Sequence, residues 1–152
     1  MEEPRQTTQA IEHHGCLPAG PEERFLGYGV LGQPFASGHL ICLRRFPHTS
    51  IGPGYTSVWH RSPEGCWTFI QDAPPHQACS RYFGRAIDRI VTRDVTLRWT
   101  GPREFTVQVD GGRGLHWEVH LSQTPATQAL NQAARRLPAA CWRRTGMLKL
   151  IG

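Results

Sequence analysis

A chain of 152 residues is long enough for one domain that buries roughly two-thirds of its unfolded surface. Its 39% hydrophobic content, with five Trp, six Phe and three Tyr, supplies a core, while sixteen Gly and twelve Pro demand many turns and favour β structure over helix. The net charge of +5 comes from sixteen Arg and one Lys, Lys149. That bias suits a GC-rich bacterial genome better than a selected basic surface, so a nucleic-acid partner is not expected, and the lone Lys argues against Schiff-base chemistry.

The N-terminus reads Met1-Glu2-Glu3-Pro4, with neither a basic start nor an apolar run. No secretory signal or membrane span is read there, and a cytoplasmic protein without a membrane partner is expected. Cys16, Cys42, Cys66, Cys79 and Cys141 are odd in number and never spaced Cys-x-x-Cys. They are expected to be free, buried thiols rather than a disulfide framework or a zinc ribbon.

Residues 1–24 show no period of 2 or 3.6 and are expected to be a disordered or loosely docked arm, followed by a single β-rich domain over 25–152. The His13-His14 pair in the arm lacks a third ligand at fixed spacing and is read as incidental. The clearest early strand is Leu40 to Phe46, stopped by Pro47. Tyr55 to Arg61 and Cys66 to Asp72 then flank Ser62-Pro63-Glu64-Gly65, whose Pro and Gly suit a type I turn. Taking those four residues as the loop sets Val58 opposite Phe69 and His60 opposite Trp67 on one face, with Ser57 opposite Ile70 and Trp59 opposite Thr68 on the other. Both faces are partly apolar, as in a hairpin inside a sandwich or barrel.

Residues 93–122 alternate in three runs: Val95, Leu97 and Trp99; Phe105, Val107 and Val109; Leu115, Trp117, Val119 and Leu121. A three-stranded meander with one core face follows. Thr124 can cap a helix that has Pro125 at its first position, with Ala126, Ala129, Leu130, Ala133 and Leu137 at helical spacing and Arg135 and Arg136 near its C-terminal dipole. Cys141 to Gly152 reads as a second amphipathic piece. Together the elements predict a mainly β fold, an antiparallel meander forming a partly closed barrel or sandwich, with one or two C-terminal helices.

Five patterns bear on chemistry. Gly27-Tyr28-Gly29-Val30-Leu31-Gly32 matches the dinucleotide fingerprint G-x-G-x-x-G, but Pro34 follows where a helix is needed, and no acidic residue lies between Glu23 and Glu64 to hold a ribose. An irregular glycine-rich connection and no cofactor are expected. His116, Glu118 and His120 share one strand face, as a Zn²⁺ site would use, yet same-face neighbours stand nearly 7 Å apart, and the opposite face is core. A solvated row is the reading, with a metal site as its alternative. His60, among Trp59, Trp67 and Arg61, is either a pocket general base or a satisfied structural histidine. Gln77 to Gly84 either places Cys79 or Arg81 in a cleft or is a loop anchored by Tyr82 and Phe83. Arg44, Arg45 and Arg61 with Tyr55 and Trp59 have the mix of a single-strand nucleic-acid platform, without the signature of any such module.

The stretch Gly52 to Arg61, GPGYTSVWHR, with Arg81-Tyr82-Phe83-Gly84 and Trp99-Thr100-Gly101-Pro102, resembles a family of uncharacterised actinobacterial proteins over residues about 25 to 150. The resemblance implies no activity. Members of that family run past the helix into further strands, so the resemblance implies either a fragment, the N-terminal part of a longer fold, or a shortened homologue. The strand-rich layout is also similar to acetoacetate-decarboxylase-like barrels, whose chemistry needs a lysine that the barrel region here lacks, and the meander to lipocalin-like ones.

The leading expectation is a binding module whose interior holds a small apolar or amphipathic ligand, lined by Tyr55, Trp59, His60, Trp67, Arg81 and Tyr82. One alternative is a lyase- or hydrolase-like enzyme using His60 or a metal on His116, Glu118 and His120. Another is an interaction domain that self-associates through Trp142 to Ile151.

Overall fold

Near the N-terminus, Pro4–His14 form a helix, α1, with proline in its first turn. In the computed structural model, which describes residues 3–110 and 114–137, the chain divides into two compact units, Met1–His120 and Leu121–Gly152. The arm expected over residues 1–24 is thus ordered in part. No sequence period marks α1 because tertiary contacts hold it. Glu12 takes a two-pronged ion pair from Arg45 at 2.8 and 2.9 Å and a hydrogen bond from the Tyr28 hydroxyl at 2.8 Å. The His48 ring donates to the Ile11 carbonyl at 2.9 Å.

The first unit then builds two sheets. Strands β1 (Phe25–Pro34), β2 (Leu40–Thr49), β3 (Tyr55–Arg61) and β4 (Trp67–Gln71) form an antiparallel meander, and β5 (Arg89–Thr92) adds parallel to β4. Strands β6 (Val95–Trp99), β7 (Glu104–Val109) and β8 (Leu115–His120) form the second, antiparallel sheet. The mainly β expectation holds, as two sheets rather than a closed barrel.

The glycine-rich segment is a strand, β1, and not an irregular connection. Its glycines allow close pairing: a Cβ on Gly27 or Gly29 would collide with the carbonyl oxygens of Arg45 and Leu43 on β2. Strand β2 also runs through Pro47, past the end of its pairing with β3 at Phe46 and Tyr55. Pro47 therefore removes no hydrogen bond from the β2–β3 ladder.

The hairpin lies where the turn signal puts it, in a different register. Gly65 donates to the Ser62 carbonyl at 2.9 Å, the expected turn bond, but the ladder also closes from Ser62 N–H to Cys66 carbonyl at 2.9 Å. Gly65 adopts φ +95°, so the loop is the three-residue form with a left-handed last residue. Arg61 then faces Trp67, Trp59 faces Phe69, and His60 faces Thr68. Every cross-strand pair assigned by the four-residue loop shifts by one.

The expected three-stranded meander forms as β6 to β8, with Leu97 facing Val107 and Val107 facing Trp117. Val95, Phe105, Val107, Val109 and Trp117 are all buried on its core face. In the second unit, helix α2 (Pro125–Arg136) starts as read, with the Thr124 hydroxyl accepting from the Thr127 amide at 3.2 Å. Leu130 on its apolar stripe is 71% exposed. The second amphipathic piece, Cys141 to Gly152, including Trp142 to Ile151, lies outside the described residues. Among the described residues, Cys16, Cys42, Cys66 and Cys79 are free; Cys42 is buried, but Cys16 and Cys66 are exposed, against expectation.

Two substitutions test this fold. Gly65→Ala puts a Cβ at a left-handed position and is expected to lower stability by about 1–2 kcal/mol in urea unfolding. Glu12→Gln removes the charged acceptor of Arg45 and is expected to cost about 1–3 kcal/mol and to speed amide exchange over residues 4–14 while the β2 and β3 amides stay protected.

Candidate functional site

The observed register sorts the first sheet into two unlike faces. Trp59 and Phe69 stack at 4.2 Å on one face and are capped by Phe83 at 4.9 and 5.5 Å. The Arg44 guanidinium lies 4.8 Å over the Trp59 ring, and the Trp59 N–H donates to the Ser57 hydroxyl at 2.7 Å. Further along, Tyr55 is fully buried with Ala73 and Ala78, against Phe25, Phe46 and Cys79, and its hydroxyl accepts the Cys79 amide at 2.8 Å. Three short 3₁₀ turns, Pro75–Gln77, Cys79–Tyr82 and Gly84–Ala86, carry the covering residues. This face is packed with aromatic rings, with Tyr55 and Phe69 buried and Phe83 39% exposed.

The other face looks toward the second sheet across a cleft of about 530 Å³. Ile41, Ile70 and Val91 supply apolar wall from the first sheet, and Val109 and Leu115 from the second. Four polar groups gather at one end, His39, His60, Thr68 and Arg89, while Arg93 lies past Val91, just beyond the end of β5. The lining holds no aspartate or glutamate among the described residues. His39 Nδ1 and His60 Nε2 are 2.8 Å apart, so one ring donates and the other accepts. Burial, followed by the repulsion of a charged His39, pushes the His60 imidazole below its usual value.

Of the six residues expected to line a ligand, this cleft takes only His60. Tyr55 and Trp59 belong to the aromatic core, and Trp67 packs edge-on to Phe69. Arg81 pairs with Glu23 at 3.3 Å and donates to the His76 carbonyl at 3.1 Å. Tyr82 is 53% exposed and meets Phe25 edge-on. Within Gln77 to Gly84 the buried residues are Ala78 and Ser80, whereas Tyr82 and Phe83, expected to anchor the segment, keep much of their surface exposed. Burial raises the Cys79 and Cys42 thiols above their usual range, which disfavours thiolate at neutral pH. Of the aromatic and basic mix, Tyr55 is buried and Arg45 is engaged by Glu12, while Arg44 lies over the Trp59 ring.

The row on β8 splits into two exposed pairs. His116 meets Glu118 at 3.3 Å, while His120 turns to Glu104 of β7 at 3.4 Å. His116, Glu118 and His120 are 59%, 65% and 69% exposed. They do not converge on one point, and among the described residues no three His, Cys, Asp or Glu groups are placed to hold a metal. The metal reading is corrected to a solvated row, because strand spacing keeps alternate side chains apart.

A second cleft, of about 540 Å³, lies beside α1 and is walled by Tyr28, Arg45, Thr56, Asp72 and Trp99. Its charges are already engaged. Arg45 holds the Glu12 carboxyl below its usual range, while burial and Glu12 raise the Tyr28 hydroxyl. Asp72 keeps an exposed edge, yet the protein around it raises its carboxyl, which accepts the Thr56 amide at 2.7 Å. Among the described residues, no helix is long and apolar enough to cross a membrane.

Because folding depresses His60 below the unfolded value of 6.5, the unfolded chain takes up that proton first, and stability is lost as pH falls below this value. Melting temperatures at about pH 7.5 and about pH 5.5 are expected to differ less in His60→Gln than in the parent. An equal pH slope in both would show that His60 carries no such linkage. No protein-family model matches the chain, and neither does any curated protein or solved structure.

Proposed function

We propose that the chain is a binding module for a small amphipathic ligand, held in the cleft between the two sheets of the first unit. The cleft itself carries this reading: a trough of about 530 Å³ with aliphatic walls and with His39, His60, Thr68 and Arg89 collected at one end. That volume falls within the roughly 300–1,000 Å³ typical of small-molecule sites. Burial of a short alkyl or aromatic body against Ile41, Ile70, Val91 and Leu115 supplies affinity, at about 25 cal/mol per Å² of apolar surface removed from water. The His39–His60 pair fixes the polar end. The shared bond uses one nitrogen of each ring and leaves one outward N–H and one outward lone pair, so the neutral pair offers a positioned donor at this end.

The test uses 1-aminoanthracene, a neutral apolar fluorophore. Its emission is expected to rise and shift to the blue on mixing with the parent chain, at one equivalent. Val91→Trp fills the trough from β5 and is expected to weaken the probe at least tenfold. Undiminished binding in that variant would place the probe elsewhere and overturn the reading.

A further inference from the structure

Register places three polar side chains in one line across the cleft floor. His60 on β3 is paired with Thr68 on β4, and Thr68 with Arg89 on β5. All three line the cleft. Adjacent strands lie about 4.8 Å apart, so His60 and Arg89 flank the Thr68 hydroxyl from either side, with the flexible arginine long enough to lean over it.

The charge of this line is not balanced from within. The Arg89 side chain has neither an ion pair nor a hydrogen bond among the described residues. Its neighbour Asp88 accepts the Trp67 amide at 2.7 Å. Arg93, four residues on from Arg89 and just past the end of β5, has a side chain that makes one long bond among the described residues, 3.4 Å to the Asp110 carbonyl. A cleft with aliphatic walls between two arginines, Arg89 beside His60 and Thr68 and Arg93 past Val91, and with no carboxylate in its lining among the described residues, fits an anion with a hydrophobic tail.

We infer that the ligand is a monocarboxylic acid whose head group sits over Thr68, between His60 and Arg89, with its apolar tail along Ile70 and Val91. This rests on the reading of the cleft as a ligand site. The donors suit a planar, singly charged head. Arg89 offers two parallel N–H groups to its two oxygens, Thr68 a hydroxyl, and the histidine pair an N–H.

Decanoate and 1-decanol, which share a tail and differ in the head, separate the two claims when each is used to displace 1-aminoanthracene. Decanoate is expected to displace the probe at about tenfold lower concentration than decanol. Arg89→Gln, and independently the near-isosteric Thr68→Val, are expected to bring that ratio towards one. If the acid and the alcohol compete equally in the parent chain, the head-group inference falls while the cleft remains a ligand site. If neither displaces the probe, the cleft takes no alkyl chain and both readings fall. An unchanged ratio in both variants would remove the Thr68–Arg89 seat.

Discussion

Which side of the first sheet each residue occupies is decided at the closure between Ser62 and Cys66. Because Gly65 takes a left-handed conformation, only Pro63, Glu64 and Gly65 stand outside the ladder. That single choice sends Trp59 and Phe69 to one face and His60, Thr68 and Ile70 to the other. A four-residue loop would set Trp59 opposite Thr68 and break up both groupings. The aromatic stack and the polar line therefore share one geometric origin.

The two faces then take different partners. The face bearing Trp59 is closed by Phe83 from the chain's own 3₁₀ segment, leaving it filled with rings. The face bearing His60 receives the second sheet, whose aliphatic side chains at Val109 and Leu115 leave the trough between them. At the opposite end, α1 is held by the ion pair from Glu12 to Arg45, a buried-edge contact that fixes β1 and β2 relative to the helix. Polar interactions secure the α1 end of the structure, whereas the cleft end keeps a cation without a partner among the described residues.

The three-stranded meander was legible because one-sided alternation from Val95 to Val119 allows a single register once the turns are placed. The hairpin's position was legible from Ser62-Pro63-Glu64-Gly65, but its register was not, since the same four residues fit loops of three or four. Helix α1 escaped notice because Pro4–His14 has little apolar periodicity; its stability comes from Arg45, more than thirty residues away. Strand β5 escaped for a similar reason, being four residues long and parallel to a strand reached only after three 3₁₀ turns. The aromatics Tyr55, Trp59 and Trp67 lie on the side of the sheet away from the cleft. Large rings satisfy one another in a packed core, whereas the cleft is walled by aliphatic residues and marked by His39 and Arg89, which no local motif singles out.

The parallel placement of β5 has a kinetic consequence. Hairpins of neighbouring strands close in about 1–10 μs, but a parallel strand joins only after its whole connection has wrapped round, and loop-closure entropy must be met first. The β2–β3–β4 ladder, with His60 and Thr68, can therefore assemble on local contacts alone. Arg89 arrives last, carried in by the segment whose Phe83 caps the aromatic face. Closing the hydrophobic side of the sheet and completing the polar line are thus one folding event, and a chain halted before residue 89 would have the trough's floor without its charge.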